Sequence, residues 1–170
     1  MRNLMLSILF LCVGCSQIPD RVKPVENFNL TRYLGTWYEI ARLDHSFERG
    51  LTKVSAQYSL NDNGSVKVIN RGYSEQDGEW QEATGIAYFI GSPNQGLLKV
   101  SFFRPFYGTY AIFELDHDNY QYAVVSGPNH SYLWILSRTP SISESLKQQL
   151  LQKARNACFN TKQLIFVTQD

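Results

Sequence analysis

Three histidines, three cysteines and a near-equal set of acids and bases are the groups with which this 170-residue chain could do chemistry. Their spacing supports little of it. His45, His117 and His130 lie far apart, each beside turn-forming residues. The one CxxC spacing, Cys12 to Cys15, falls at the end of the N-terminal apolar run; no HExxH spacing offers ligands to a metal, and no GxSxG turn offers a nucleophile. No glycine-rich loop is placed to cradle phosphate. These patterns yield no catalytic residue, no metal site and no cofactor. The 16 Lys+Arg nearly balance the 15 Asp+Glu, so the basic excess of a nucleic-acid binder is missing. What stands out is an aromatic content of 14%, with ten Tyr, ten Phe and three Trp. That bias suits strands or an aromatic-lined cavity.

The elements that would hold such a cavity follow from hydrophobic periodicity. From Phe28 onward, short apolar runs alternate with turn signals, an all-β pattern. The expected strands are Tyr33 to Leu43, Thr52 to Leu60, Ser65 to Tyr73, Trp80 to Ile90, Leu97 to Phe103, Tyr107 to Leu115, Tyr120 to Ser126 and Ser131 to Arg138. Asn63-Gly64 between the second and third is a strong hairpin signal. After Pro140 the period changes. Ile142, Leu146, Leu150, Leu151, Ala154, Ala157 and Cys158 recur at helical spacing behind a Ser143-Glu144 cap. Gln163 to Thr168 reads as a short final strand. Eight short-turned antiparallel strands can close into an up-and-down barrel with the helix packed outside. Such a barrel is wide enough for one small ligand. A flattened sandwich without a cavity has the same strand count.

The N-terminus is different in character. Arg2 precedes an apolar run from Leu4 to Val13, too short to span a bilayer as a mature helix. Gly14-Cys15-Ser16 follows, and the whole resembles a bacterial lipoprotein signal. That resemblance implies removal of residues 1–14, lipidation of Cys15, and sorting to the outer membrane with the domain on its periplasmic face. Residues 15–27, with Pro19 and Pro24, read as a tether. Cys158 would then be the single remaining thiol, so no intramolecular disulfide can form. Its place in the helical pattern predicts a small buried apolar residue.

Three blocks carry a further resemblance. Gly35-Thr36-Trp37-Tyr38-Glu39-Ile40-Ala41 opens the first strand, Asp116 to Tyr122 spans the sixth turn, and Tyr132-Leu133-Trp134-Ile135-Leu136-Ser137-Arg138 ends the last barrel strand. In this order they resemble the lipocalin blocks, over Phe28 to Asp170. The second block departs from the common Thr-Asp-Tyr form, reading Leu115-Asp116-His117. Together with Cys15, the chain looks most like the bacterial outer-membrane lipoprotein branch of the calycin superfamily, similar to apolipoprotein D and plant temperature-induced lipocalins. The resemblance implies structural roles for Gly35, Trp37 and Arg138. Arg138 would lie over the Trp37 ring as a cation–π pair at the closed end.

Alternation then assigns an inner wall. Val54, Ala56 and Tyr58 face one way on the second strand, Val68 and Asn70 on the third, Val100 and Phe102 on the fifth. Arg138 sets the phase that brings Tyr132 and Trp134 inward. The resemblance adds Ala87, Phe89, Tyr110 and Ile112. Loops Asp44 to Leu51, Ser74 to Gly78, Arg104 to Tyr107 and Gly127 to His130 would surround the mouth. There Arg104 is expected to meet an acidic head group, and His45 and His130 could approach one another. The function this implies is binding, storage or local transfer of a fatty acid, lysophospholipid or similar ligand at the outer membrane. The partners would be a hydrophobic ligand and a membrane, with a homodimer left open. The rivals are a structural lipoprotein with a filled barrel and, less favoured, a lipid-modifying enzyme using the same pocket.

Overall fold

The computed structural model describes residues 17–170. The expected signal segment 1–14 and the lipidation site Cys15 lie outside the described residues. Among the described residues, nine strands form one sheet: β1 Gly35–Arg42, β2 Leu51–Leu60, β3 Val66–Ser74, β4 Glu79–Phe89, β5 Leu97–Phe103, β6 Phe106–Leu115, β7 Tyr122–Ser126, β8 Leu133–Ser137 and β9 Ile165–Phe166. Each of β2 to β7 pairs with the next, and β1 pairs with both β8 and β2. The barrel of eight antiparallel strands is therefore closed, with no sandwich edge left open. β9 adds to β1 through Ala41↔Phe166 and Arg42↔Ile165, where β1 has parted from β2.

Tyr33, expected in the first strand, instead ends a helical turn, α1 (Leu30–Tyr33). Asn29 caps it by accepting from Arg32 N. Gly35 then turns the chain into β1 at φ +96°, a conformation L side chains rarely adopt. Arg138 Nη1 would lie 3.4 Å from any Cβ there. This gives the glycine of the first block its physical reason.

The helix α2 (Glu144–Asn156) starts where Ser143 accepts from Leu146 N at 3.2 Å. Glu144 in the first turn and Lys153 and Arg155 in the last complement its dipole. Its buried stripe, Leu150, Leu151 and Ala154, packs with Ala111, Val124 and Ile135 on the barrel's outer wall. Hence β6 to β8 are apolar on both faces: Val124 points to the helix while Ala123 and Val125 point inward.

Two further expectations fail here. Cys158 is exposed, not buried. The helix ends at Asn156, and Cys158 sits beyond its cap at φ 68°. The prolines of the expected tether also misled, because residues 17–27 are not a free linker over their described length. Val22 is buried and Ile18 packs beside it against the helix-side core. Val25 N donates to Ile112 O and Gly96 N donates to Val25 O, both at 2.8 Å. The segment is a strap across the barrel wall. Beginning the chain at residue 28 is therefore expected to lower stability by at least ~2 kcal/mol relative to 17–170, since a buried Val or Ile contributes about 1.5–3 kcal/mol. Parallel urea unfolding of the two forms checks this, and coincident midpoints would show the strap to be inert.

Candidate functional site

The barrel encloses a cavity of about 530 Å³, within the range of small-molecule sites. Its wall comes from alternate residues of most strands. β2 gives Val54, Ala56 and Tyr58; β3 gives Val66, Val68 and Asn70; β4 gives Ala87; β5 gives Leu98, Val100 and Phe102. Tyr110 of β6, and Tyr132, Trp134 and Leu136 at β8, complete the ring. Phe47 and Pro128 from loops, with Phe106 and Tyr107 at the start of β6, surround one end, which is the mouth. At the other end α1 supplies Leu30 and Tyr33, with Phe28 beside them.

Among residues expected at the wall, Phe89 and Ile112 belong below it. They pack with Phe28, Trp37, Ala123 and Val125 in a solid closed end. Ile112 is wholly buried, and the Phe89 and Phe28 ring centroids are 6.0 Å apart, edge to face. Arg104 is not in the cavity. It is exposed on the outer surface of the β5–β6 turn, so it cannot meet a head group inside. Nor do the histidines join. His130 Nε2 lies 3.0 Å from Ala157 O, while His45 stacks on Phe47 and reaches Glu48.

Trp37 and Arg138 lock the closed end. The guanidinium lies 3.9 Å from the Trp37 ring centroid. It also donates to Thr36 O at 2.9 Å, Arg32 O at 2.8 Å and Tyr120 O at 3.2 Å. On the cavity floor, Tyr110 OH is 2.8 Å from both Tyr33 OH and Tyr58 OH. Burial raises all three phenols well above their ordinary range, so they stay neutral and satisfy one another.

The upper wall holds a polar cluster that residue spacing did not reveal. A bulge between Glu39 and Ala41 breaks the alternation of β1. It leaves Ile40 and Ala41 in the helix-side core while Glu39 lines the cavity. Arg42 Nη1 donates to Glu39 Oε1 at 2.7 Å, and Nη2 to Glu48 O at 2.8 Å and Leu51 O at 3.2 Å. Glu48, from the β1–β2 loop, also lines the cavity. Its Oε2 is 2.8 Å from His45 Nε2 and accepts from Trp134 Nε1 at 3.0 Å. Glu39, Arg42, His45 and Glu48 are all buried. Charged residues read as solvated by default; only the bulge and the loop's return over the barrel bring them inside.

Burial, and next the charge of Glu48, push the Glu39 carboxyl up to about 8 against the pull of Arg42. Burial also pushes on Glu48, but His45, Trp134 and Arg42 together hold it below the usual carboxylate range. From its ordinary 4.5 up to about 8, the folded chain keeps a proton on Glu39 that the unfolded chain has lost. Stability must fall as pH rises through that window, by at most ~1.4 kcal/mol per unit from this group. Glu39→Gln, which keeps an acceptor for Arg42, is expected to flatten the melting temperature between about pH 5 and pH 8. Wild-type and variant profiles that run parallel would contradict the assignment.

A family model of the lipocalin-like domain matches residues 28–169. The chain is 54% identical over 156 residues to the outer membrane lipoprotein Blc of Vibrio cholerae, covering 92% of this chain and 91% of that protein. To the protein of the same name from Escherichia coli it is 54% identical over 162 residues, covering 94% and 91%. Temperature-induced lipocalin-1 of Arabidopsis thaliana is 36% identical over 139 residues, 76% and 73% of the two chains. None of these names is an enzyme's. Insecticyanin of the tobacco hornworm Manduca sexta shares the fold at a TM-score of 0.69 and 20% identity, over 89% of this chain and 86% of that one. A closed eight-stranded barrel around an apolar cavity, its end sealed by tryptophan and arginine, and a family match over nearly all the described length lead to one conclusion: this chain belongs to the lipocalin family of hydrophobic-ligand binders.

Proposed function

We propose that this lipocalin holds a single-tailed amphiphile, of the fatty acid or lysophospholipid kind, with its tail inside the barrel. It would store or locally transfer that lipid at the bacterial outer membrane, to which Cys15 would anchor it. The observation that carries the reading is the cavity itself: about 530 Å³, walled by Val54, Ala56, Val68, Ala87 and Val100, and open at one end. A filled barrel would leave no such space. Relatives named outer membrane lipoproteins support the location. An anchored binder cannot carry ligand far through water, because several buried acyl chains at ~0.8 kcal/mol per CH₂ hold it in place. Capture close to the membrane is what remains to it.

The mouth fits that role. Phe103 and Phe106 are 75% and 71% exposed and stack at 6.3 Å beside the opening, and Phe47 is 58% exposed. Rim aromatics of this kind suit contact with a bilayer while a lipid tail enters. The Phe103→Ser, Phe106→Ser double variant of residues 17–170 is expected to bind phosphatidylethanolamine–phosphatidylglycerol vesicles at least about fivefold more weakly, given what two exposed phenyl rings gain on burial. Unchanged vesicle flotation would remove the bilayer from the account.

The function itself is tested by titrating a neutral fluorescent probe, N-phenylnaphthylamine, into residues 17–170, which hold every barrel contact described above. Saturable 1:1 binding, reversed by a lysophospholipid, is expected. Failure of every single-tailed lipid to displace the probe would end the proposal. A lysophospholipid recovered chemically altered would instead make the barrel an enzyme.

A further inference from the structure

The charges on the cavity wall are uneven. Among the described lining residues, Glu39 and Glu48 are the only ones of the Asp, Glu, Lys, Arg or His type, and both are acids. The cations near them stand behind the wall. Arg42 does not line the cavity, and its two terminal nitrogens are occupied by Glu39 Oε1, Glu48 O and Leu51 O. His45 is turned to Glu48 and stacked on Phe47. Arg104, in the β5–β6 turn, faces away on the outer surface, and Arg49 of the β1–β2 loop is paired with Asp44 at 2.7 Å. A ligand head in the upper cavity therefore meets carboxyl oxygens, the Tyr132 and Trp134 rings, and no free cation.

We propose that the cavity selects amphiphiles with a positively charged ammonium head, received by Glu39 and Glu48 at the upper wall, over carboxylates of equal chain length. The inference rests on the tail-binding function proposed above and narrows its ligand class. A carboxylate head would sit beside the Glu48 carboxylate in a weakly polar space, where repulsion is poorly screened. An ammonium would instead form charge-assisted hydrogen bonds to the two acids, with the Trp134 and Tyr132 faces close by for cation–π contact. It would also favour the ionised form of Glu39, whose carboxyl burial now holds near 8. The apolar wall below gives the tail its place, and the neutral tyrosine cluster on the floor gives a charged head no counter-ion. This sets the ligand's direction: tail down, head towards Glu48.

The test uses residues 17–170 at pH 7 and three probes with the same twelve-carbon tail: dodecylamine, dodecanol and dodecanoate. Each competes with N-phenylnaphthylamine. The amine is expected to displace the probe at a concentration at least about tenfold below that for the carboxylate, with the alcohol between. Glu48→Gln and Glu39→Gln are each expected to shrink the amine-to-carboxylate ratio towards unity. Equal displacement by amine and carboxylate, or a preference for the carboxylate, overturns the inference but leaves the tail-binding function standing. A ratio that neither substitution alters also overturns it, by placing the head elsewhere. If no probe displaces, the function proposed above fails and this inference with it. The wild-type ratio needs no variant, so misfolding of a substituted chain does not remove the test.

Discussion

Ala87→Trp is expected to weaken amphiphile binding at least about 100-fold, a loss of ~2.7 kcal/mol, while the barrel stays folded. Ala87 is 3% exposed and points into the cavity between its cross-strand neighbours Val66 and Val100. Val66 opens β3 and Ala87 stands two residues before Phe89, so they line the lower part of the cavity, where the end of a tail must lie. An indole there would occupy the tail's path and gain the same apolar contacts without the cost of ordering a ligand. Overpacking a solid core costs about 1–3 kcal/mol, but open space on one side of Ala87 lets the ring settle. Gln57→Trp is the control: it adds the same ring to the exposed outer face of β2, and its binding is expected to match wild type. Probe titration of the three proteins, with melting curves to confirm folding, checks the pair. Wild-type affinity in Ala87→Trp would place the ligand outside the barrel.

The second large effect is on stability. Trp37→Ala is expected to cost about 3–5 kcal/mol, the usual range for a buried aromatic. For a chain of this size that lowers the melting temperature by about 6–20 °C. Trp37 is wholly buried, and its Nε1 donates to Tyr33 O at 2.8 Å. It is also the surface on which Arg138 lies. Arg138→Lys keeps the charge but cannot serve three carbonyls from one planar fork, so part of the loss should appear there too. Because α1, β1 and the β6–β7 turn all meet at Arg138, through Arg32, Thr36 and Tyr120, the two substitutions should be less than additive together. Circular dichroism melts of the single and double variants decide this. A shift below about 3 °C for Trp37→Ala would mean the closed end is held by something else.

Much of this was legible in the residue order, for physical reasons that differ by element. β2 and β3 face solvent on one side and the cavity on the other, so Val54, Ala56, Tyr58, Val68 and Asn70 could be placed by alternation alone. The strands under α2 are buried on both faces, and there alternation is silent. Phe89 and Ile112 were assigned to the right face, but depth along the barrel axis leaves no periodic mark, and both fall in the packed end. Arg104 failed because a turn residue's side chain has no phase to read. The strap at 17–27 failed because two prolines outweighed Val22, buried in the helix-side core, and Val25, whose backbone partners lie about 70 or more residues away at Gly96 and Ile112. Glu39 and Glu48 were hidden most deeply. A β-bulge and a loop folded back onto Trp134 bury them, and both are long-range facts. The helix cap, by contrast, is local, and Ser143 could be named from its neighbours.

The central claim is that a lipid tail lies inside this barrel. The direct measurement is mass spectrometry of organic extracts from residues 17–170 and from Ala87→Trp, both loaded by incubation with the same total lipid extract and then freed of vesicles. Close to one single-tailed lipid per wild-type chain, and almost none per Ala87→Trp chain, is the predicted result. Equal amounts from the two proteins, or none from either, would contradict it.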